Sequence, residues 1–122
     1  GTIDIVTSHH QPINPELKHV DFNSAEYGTI SLETMFGLLN KIFSIEKVID
    51  LLTRGRSIFS LEKPKIEIGA KACLTFFDPS KRNTFSSDKI LSTSKNCAFV
   101  DMEIIGEVYG CINENKFHYT PE

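Results

Sequence analysis

The polar run Thr7-Ser8-His9-His10 carries the side chains in this sequence that are best suited to chemistry. A serine nucleophile needs a base and an oxyanion hole, and the glycine-flanked elbow that exposes such a serine is absent around Ser8. Successive side chains of a strand face opposite ways, so at most one of His9 and His10 would reach a metal ion. Zinc takes roughly three or four ligands. These residues alone define no reaction, although a small zinc module that also uses His19 stays open as an alternative.

A short, mostly apolar segment positions this run. Residues Ile3 to Thr7 predict a buried strand. Ligands of α/β folds bind at the carboxyl ends of strands, which is where Ser8 and His9 would then lie. Natural domains seldom begin within a residue or two of a buried strand, because termini are usually polar and frayed. With no Met at its start, the chain is therefore expected to be truncated at its N-terminus.

Two helices are predicted after a long loop. The loop runs from Ser8 to about Gly28, and loops of this length are usually functional or disordered. Ser31 is expected to cap a helix with one apolar face, formed by Leu32, Met35, Phe36, Leu39 and Phe43. Ser44 is expected to begin a second helix, with a buried side formed by Ile45, Val48, Ile49 and Leu52. A short helical turn follows the interruption at residues 54–56.

The periodicity changes at Pro64 to the alternation that is typical of strands. The predicted strands are 72–77, which Asp78-Pro79 ends, then short segments at 84–85 and 98–100, and longer or closing strands at 103–112 and 116–119. Helices therefore fill the first half of the chain and strands the second. The sequence predicts an α/β unit followed by an antiparallel β module.

Composition excludes several classes of protein. The net charge is −3 and the 13 Lys and Arg residues are spread along the chain, so no nucleic-acid partner is expected. No apolar run approaches the roughly 20 residues that span a bilayer, and no signal segment opens the chain. We therefore expect a soluble, cytoplasmic protein without a membrane partner. The isolated thiols of Cys73, Cys97 and Cys111 favour neither a disulfide framework nor a zinc ribbon.

A series of motifs, in order along the chain, resembles the C-terminal part of dihydroorotases. Thr7-Ser8-His9, followed by Phe22 and then by residues 27–34 (YGTISLET), is similar to that family's T-D-H-A-P-H and F…G-(I/V)-(I/V)-G-L-E-T. Residues 44–53 resemble its helix isleklielLT, and residues 68–81 resemble its strand G-A-x-A-D-L-x-x-F-D-P-x-K. Residues 92–99 resemble S-K-S-x-N-T-P-F, and residues 106–110 resemble its G-x-V strand.

The resemblance implies the architecture of the amidohydrolase superfamily, a (β/α)8 barrel with zinc near its mouth beside a small β-sandwich. Residues 2–63 would supply the last strand and helices of the barrel, and residues 64–122 would supply antiparallel strands of the sandwich. The family reversibly hydrolyses the cyclic amide of dihydroorotate in pyrimidine biosynthesis. Its HxH zinc motif, bridging carboxylated lysine and other metal ligands would lie upstream. The fragment alone is therefore expected to bind no metal and to be inactive.

The chain departs from the family pattern at the proposed catalytic position. The family's aspartate, a metal ligand and proton shuttle, aligns with Ser8, which has no carboxylate to accept a proton. A later substrate-contacting histidine aligns with Pro12, and the glycine of G-L-E-T with Ser31. Tyr27 and Gly28 match the loop whose backbone holds the substrate, so these two are the expected substrate-binding residues.

Two hypotheses follow from the resemblance. The first is a working dihydroorotase whose base comes from another residue, such as His9 or His10. The second is a non-catalytic homologue that acts as a scaffold, for example for aspartate carbamoyltransferase. The expected partners are the missing N-terminal part of the barrel, a second copy of the chain, or that transferase. Ile5, Leu38 and Phe43 would face missing barrel neighbours, so the fragment is expected to expose much apolar surface and to self-associate.

Overall fold

The structure, a computed structural model, describes residues 2–114 and 116–119. Helices occupy its first half and an antiparallel sheet its second. The elements are 3-10 turns at Pro15–Lys18 and Phe22–Ser24, helices α1 (Met35–Asn40), α2 (Ile45–Thr53) and α3 (Gly55–Ile58), strand β1 (Cys73–Thr84), a 3-10 turn at Ser87–Lys89, and strands β2 (Glu103–Asn113) and β3 (Lys116–Tyr119). Within these ranges no helix has the length and apolar character that crossing a bilayer requires.

The predicted strand from Ile3 to Thr7 is wrong for the structure as described, because these residues pair with no other strand. The Val6 amide instead donates to the carbonyl oxygen of Leu51 in α2, with N and O 3.2 Å apart. The Arg54 guanidinium lies 3.8 Å from the carboxylate of Asp4. A parallel strand takes its backbone hydrogen bonds from neighbouring strands. With no such neighbour among the described residues, the segment is held by α2.

The first helix begins later than its sequence predicts. A turn covers residues 32–34, and the regular helix α1 starts at Met35. The Ser31 carbonyl oxygen accepts from the amides of Thr34 (3.2 Å) and Met35 (3.0 Å). The Ser31 hydroxyl does not cap this turn as predicted, because it donates to the carbonyl oxygen of Ser8. Leu32, expected on the buried face, is 62% exposed.

Helix α2 begins where its sequence predicts. The Ser44 hydroxyl accepts from the amide of Lys47 at 3.4 Å, which satisfies a backbone donor that the helix itself leaves unpaired. Val48 and Leu51 are buried on its inner side. The prediction for Ile49 is wrong, since its side chain is 42% exposed.

Strand β2 is the centre of the sheet and pairs antiparallel with β1 and β3. The predicted end of the first strand at Asp78-Pro79 is wrong, because β1 continues to Thr84 through an irregularity between Asp78 and Arg82. Proline cannot donate to a ladder, and a bulge removes it from the pairing. The Asp78 carboxylate accepts from the backbone amide (2.7 Å) and the hydroxyl (2.6 Å) of Ser80. These bonds close the bulge.

Helix α1 packs on β2 because a glycine in each element permits a close approach. A Cβ at Gly37 would lie 2.8 Å from the Cβ of Ile104. A Cβ at Gly106, where φ is +106°, would lie 2.6 Å from the Phe36 ring. That ring meets the edge of Phe77 with centroids 5.0 Å apart. The core beside this contact joins the two halves of the chain, and its buried members are Ile30, Phe85, Ile90 and Ile104.

Large apolar side chains are exposed at many positions. The three that are predicted to face missing neighbours, Ile5, Leu38 and Phe43, are only partly exposed. Phe43 is 43% exposed. Ile5 and Leu38 are half-buried, and Leu38 packs against the core. The most exposed apolar side chains lie elsewhere, at Phe22, Tyr27, Ile42, Ile66, Ile68 and Leu91.

Candidate functional site

The segment that contains Ser8 lies directly beside the segment that contains Gly28. The Ser31 hydroxyl donates to the Ser8 carbonyl oxygen. Three residues further on, the Gln11 amide donates to the carbonyl oxygen of Thr29 at 3.0 Å. The two ends of the long loop are therefore bound to each other. Two of the predicted site positions, 8 and 28, are brought into one region by these contacts.

His10, and not Ser31 as the sequence predicts, caps the turn that precedes α1. Its Nδ1 accepts from the backbone amides of Ser31 and Leu32, each at 3.2 Å. An imidazole nitrogen that accepts a hydrogen bond does so through its lone pair. The first turn of a helix has unpaired N–H groups, and His10 satisfies two of them. Its Nδ1 is thereby occupied and is not available as a general base.

His9 has a different environment from its neighbour. Its backbone lies in the left-handed region at φ +44° and its side chain is exposed. The side-chain amide of Gln11 lies 3.0 Å from its Nε2, which accepts this bond. Of the two adjacent histidines, His9 therefore has the more accessible ring.

Within the described part of the chain, the donors that a zinc ion would need do not come together. Among residues 2–114 and 116–119, no group of three His, Cys, Asp or Glu side chains is placed to hold a metal ion. His9, His10 and His19 do not form the three-histidine module considered from sequence. The residues described here therefore do not fit a zinc ion, and we derive no step through one.

Ser8, at the position that the sequence predicts to be catalytic, is half-buried and has no carboxylate. Its carbonyl oxygen is fixed by the hydroxyl of Ser31. A serine hydroxyl does not accept a proton near neutral pH, so Ser8 cannot replace an aspartate as general base. What the structure provides at this position is a fixed backbone.

Tyr27 and Gly28, the predicted substrate-binding residues, lie in a segment without regular secondary structure. The Tyr27 side chain is 95% exposed. Gly28 has φ +134°, and a Cβ there would lie 3.1 Å from the Cβ of Gln11, so glycine fits both the conformation and the space. The Gly28 carbonyl oxygen accepts from the side-chain amide of Asn96 at 2.9 Å.

Asn96 belongs to a segment whose contacts the sequence reasoning missed. Residues 91–98, named the strap, bond to Ile13 near the start of the loop and to Gly28 and Ile30 at its end. The sequence signal for the strap is the resemblance of residues 92–99 to a family motif. It carried no information on the partners, because the bond between Asn96 and Gly28 joins residues far apart in the chain.

Comparison with solved structures defines the class of protein to which this fold belongs. A D-hydantoinase from Thermus sp. superposes with a TM-score of 0.75 at 24% identity, over 98% of this chain and 30% of that protein. A D-hydantoinase from Bacillus sp. AR9 superposes with a TM-score of 0.70 at 26% identity, over 93% of this chain and 28% of that protein. The chain thus has the fold of part of an amidohydrolase of the hydantoinase type.

Sequence comparison identifies the family to which the chain belongs. The chain is 35% identical to a dihydroorotase from Caldicellulosiruptor saccharolyticus and 33% identical to one from Geotalea daltonii, in each case over 95% of this chain and 29% of the relative. No family model matches. The chain belongs with the dihydroorotases, as its motifs predict, and it spans about three tenths of the length of the curated relatives it matches. This is consistent with the predicted C-terminal part.

Proposed function

We propose that this chain supplies the loop that ends at Tyr27 and Gly28, named the substrate loop, to a dihydroorotase-like amidohydrolase whose metal centre is built by other residues of a longer protein. The observation that carries the proposal is the match to dihydroorotases along 95% of the chain, beside which residues 2–114 and 116–119 bring no three metal-ligating side chains together. Under this proposal residues 2–63 complete a barrel and residues 64–122 contribute to a β-sandwich. Zinc belongs to the longer protein, and the isolated chain does not hydrolyse dihydroorotate.

The contribution of this chain to such a reaction is binding and orientation. Tyr27 and Gly28 present backbone groups to the substrate, and the bond from Asn96 holds the Gly28 carbonyl in place. A base would have to replace the absent carboxylate at position 8. His9 is the better candidate in this chain, because its ring is exposed and accepts one bond from the Gln11 side chain, whereas the Nδ1 of His10 accepts two backbone amides.

A chimeric enzyme tests this proposal. The chain replaces the matched stretch of the Caldicellulosiruptor saccharolyticus dihydroorotase, once with Ser8, once with Ser8→Asp and once with Ser8→Asn as a size-matched control. We expect the aspartate chimera to hydrolyse dihydroorotate at least about a hundredfold faster than the other two, which is the usual contribution of a general base. A folded, zinc-loaded aspartate chimera without turnover would refute the proposal.

Equal turnover of all three chimeras would show that the base is another residue. His9→Gln in the Ser8 chimera then decides the matter, because glutamine keeps a hydrogen-bonding side chain but cannot take a proton. Loss of turnover in this variant would assign the base to His9, and unchanged turnover would place it outside this chain.

A non-catalytic scaffold is the second candidate, and Ser8 is the observation that favours it. A homologue that has lost its base can keep the fold and serve a partner, for which we propose aspartate carbamoyltransferase. Sedimentation of the full-length protein with that transferase measures the association, and zinc analysis of the same sample shows whether the metal is retained. Measurable hydrolysis of dihydroorotate by the full-length protein would remove the scaffold-only function.

A further inference from the structure

We infer that the strap positions the substrate loop and that Asn96 is its main positioning residue. This inference rests on the proposed function only where it concerns catalysis, because the contacts themselves belong to this chain. None of the strap side chains is assigned a chemical role. Their effect would pass through the backbone of Tyr27 and Gly28.

Asn96 holds the backbone on both sides of Thr29. Its side-chain amide donates to the carbonyl oxygen of Gly28 at 2.9 Å. Its own carbonyl oxygen accepts from the amide of Ile30 at 2.9 Å. Ile30 is 2% exposed and lies in the core, so this end of the loop is anchored to the most buried part of the molecule.

Thr29 also bonds to the strap, in this case through its own side chain. Its hydroxyl accepts from the amide of Ala98 at 2.9 Å and donates to the carbonyl oxygen of Ile30 at 3.1 Å. The strap and the turn at Gly28 therefore exchange bonds through side chains of both segments. Substitution of either Asn96 or Thr29 should loosen the same backbone.

The strap also holds the other end of the loop. The Ser94 hydroxyl donates to the carbonyl oxygen of Ile13 at 2.6 Å and accepts from the amide of Asn96 at 3.3 Å. Both ends of residues 14–27 are thus fixed to one short segment, which is the arrangement of a compact surface loop with close ends. Within that loop Phe22 is 94% exposed.

Glu33 fixes the strap itself to the turn before α1. One carboxylate oxygen accepts from the amide of Leu91 at 2.8 Å, and the other accepts from the amide of Ser92 at 3.1 Å. The strap is therefore bonded at one end to the helical part of the chain and at the other to the turn at Gly28. This explains how a segment without regular secondary structure can set the geometry of a loop.

Hydrogen exchange on the 122-residue chain tests the positioning directly. Asn96→Asp keeps the shape of the side chain but replaces the donor to Gly28 by an oxygen. We expect the amides of Gln11, Ile30 and Ala98 to exchange roughly tenfold faster, the size of effect that loss of one part-buried hydrogen bond has on a local opening equilibrium. Amides of β2 should keep their protection.

Asn113→Asp is the matched control, since it makes the same charge change at an exposed site at the end of β2. If Asn96→Asp unfolds the chain, Thr29→Val replaces it, because valine keeps the shape and removes the acceptor for Ala98. Unchanged exchange around Gly28 in the folded variants would overturn the inference. So would a loss of protection that is equal in the strap and in β2.

The consequence for catalysis is measured in the aspartate chimera described above. Adding Asn96→Asp should raise KM for dihydroorotate about tenfold while kcat changes less than about twofold, because a loosened binding loop weakens binding of substrate and transition state alike. Faster exchange around Gly28 in a chimera that has no turnover would retain the positioning role and refute the proposed function. A fall in kcat at constant KM would refute a pure positioning role.

Discussion

The sheet and the loop–strap region are held together by different kinds of hydrogen bond. The strands β1, β2 and β3 are joined by backbone ladders, which need no particular side chain. Besides two backbone bonds, Gln11 to Thr29 and Ile30 to Asn96, the loop, the strap and the turn before α1 are joined by bonds between side chains and backbone. The side chains that make them are those of His10, Thr29, Ser31, Glu33, Ser94 and Asn96. A single substitution removes a bond of the second kind and leaves a ladder intact.

This difference separates stability from site geometry. Packing of α1 on β2, with Gly37 against Ile104 and Phe36 against Phe77, supplies close contacts that should dominate the free energy of unfolding. The bonds around Gly28 should contribute less to unfolding and more to the shape of the loop. Substitutions that disturb one region and spare the other test whether stability and loop geometry are separable.

The largest expected effect is on the sheet side, from Gly106→Ala. The added methyl group would lie 2.6 Å from a Phe36 ring that Phe77 confines, and alanine at φ +106° is strained. Together these effects should lower the free energy of unfolding by about 3 kcal/mol, measured by denaturant titration.

Gly69→Ala is the matched control for this substitution. Gly69 also has a positive φ, +86°, but nothing lies within 4 Å of the Cβ that alanine would add. Its effect should be limited to backbone strain, about 1 kcal/mol. Equal losses for the two variants would show that the close contact of α1 with β2 does not determine stability.

A smaller effect is expected on the loop side, from His10→Ala. This substitution removes the acceptor for the amides of Ser31 and Leu32, so the free energy of unfolding should fall by about 1 kcal/mol, as for loss of a helix cap. His10→Asn places an oxygen near the position of Nδ1 and should restore most of the loss. If asparagine proved no better than alanine in thermal unfolding, the capping role would be wrong.

Prediction from sequence succeeded where the interaction is local and failed where the partner is distant. The cap at Ser44 lies three residues from the amide it satisfies, so the pattern was sufficient. Ser31 has the same residue type at a helix start, but its hydroxyl donates to Ser8, a partner that no local pattern reveals. The bond from Asn96 to Gly28 is further beyond such patterns, because it joins distant parts of the chain.

For the strands, too, prediction succeeded for local features and failed where a distant partner decides the structure. Alternation of apolar residues predicted β2 and β3 correctly, since each residue's face follows from its neighbours in sequence. The sequence Asp78-Pro79 has the local character of a strand end, and only the ladder with β2 shows that β1 continues past a bulge. The segment from Ile3 to Thr7 has a strand's composition but no partner strand among the described residues. Composition alone does not form a strand.

The smallest expected effect concerns the bulge of β1 and is a change in pKa. The hydroxyl of Ser80, and then its backbone amide, bond to Asp78 and lower the pKa of this carboxyl below its ordinary value. Because the pKa is lower in the folded state, the stabilisation is complete above the unfolded value of about 3.9 and is lost as pH falls through the folded value. Ser80→Ala should shift the NMR titration midpoint of Asp78 upward without restoring it fully, since the backbone amide still donates. An unchanged midpoint would mean that the hydroxyl does not stabilise the charged carboxylate. The bulge would then be held by its backbone bond, and the sheet would depend on side chains even less than its ladders indicate.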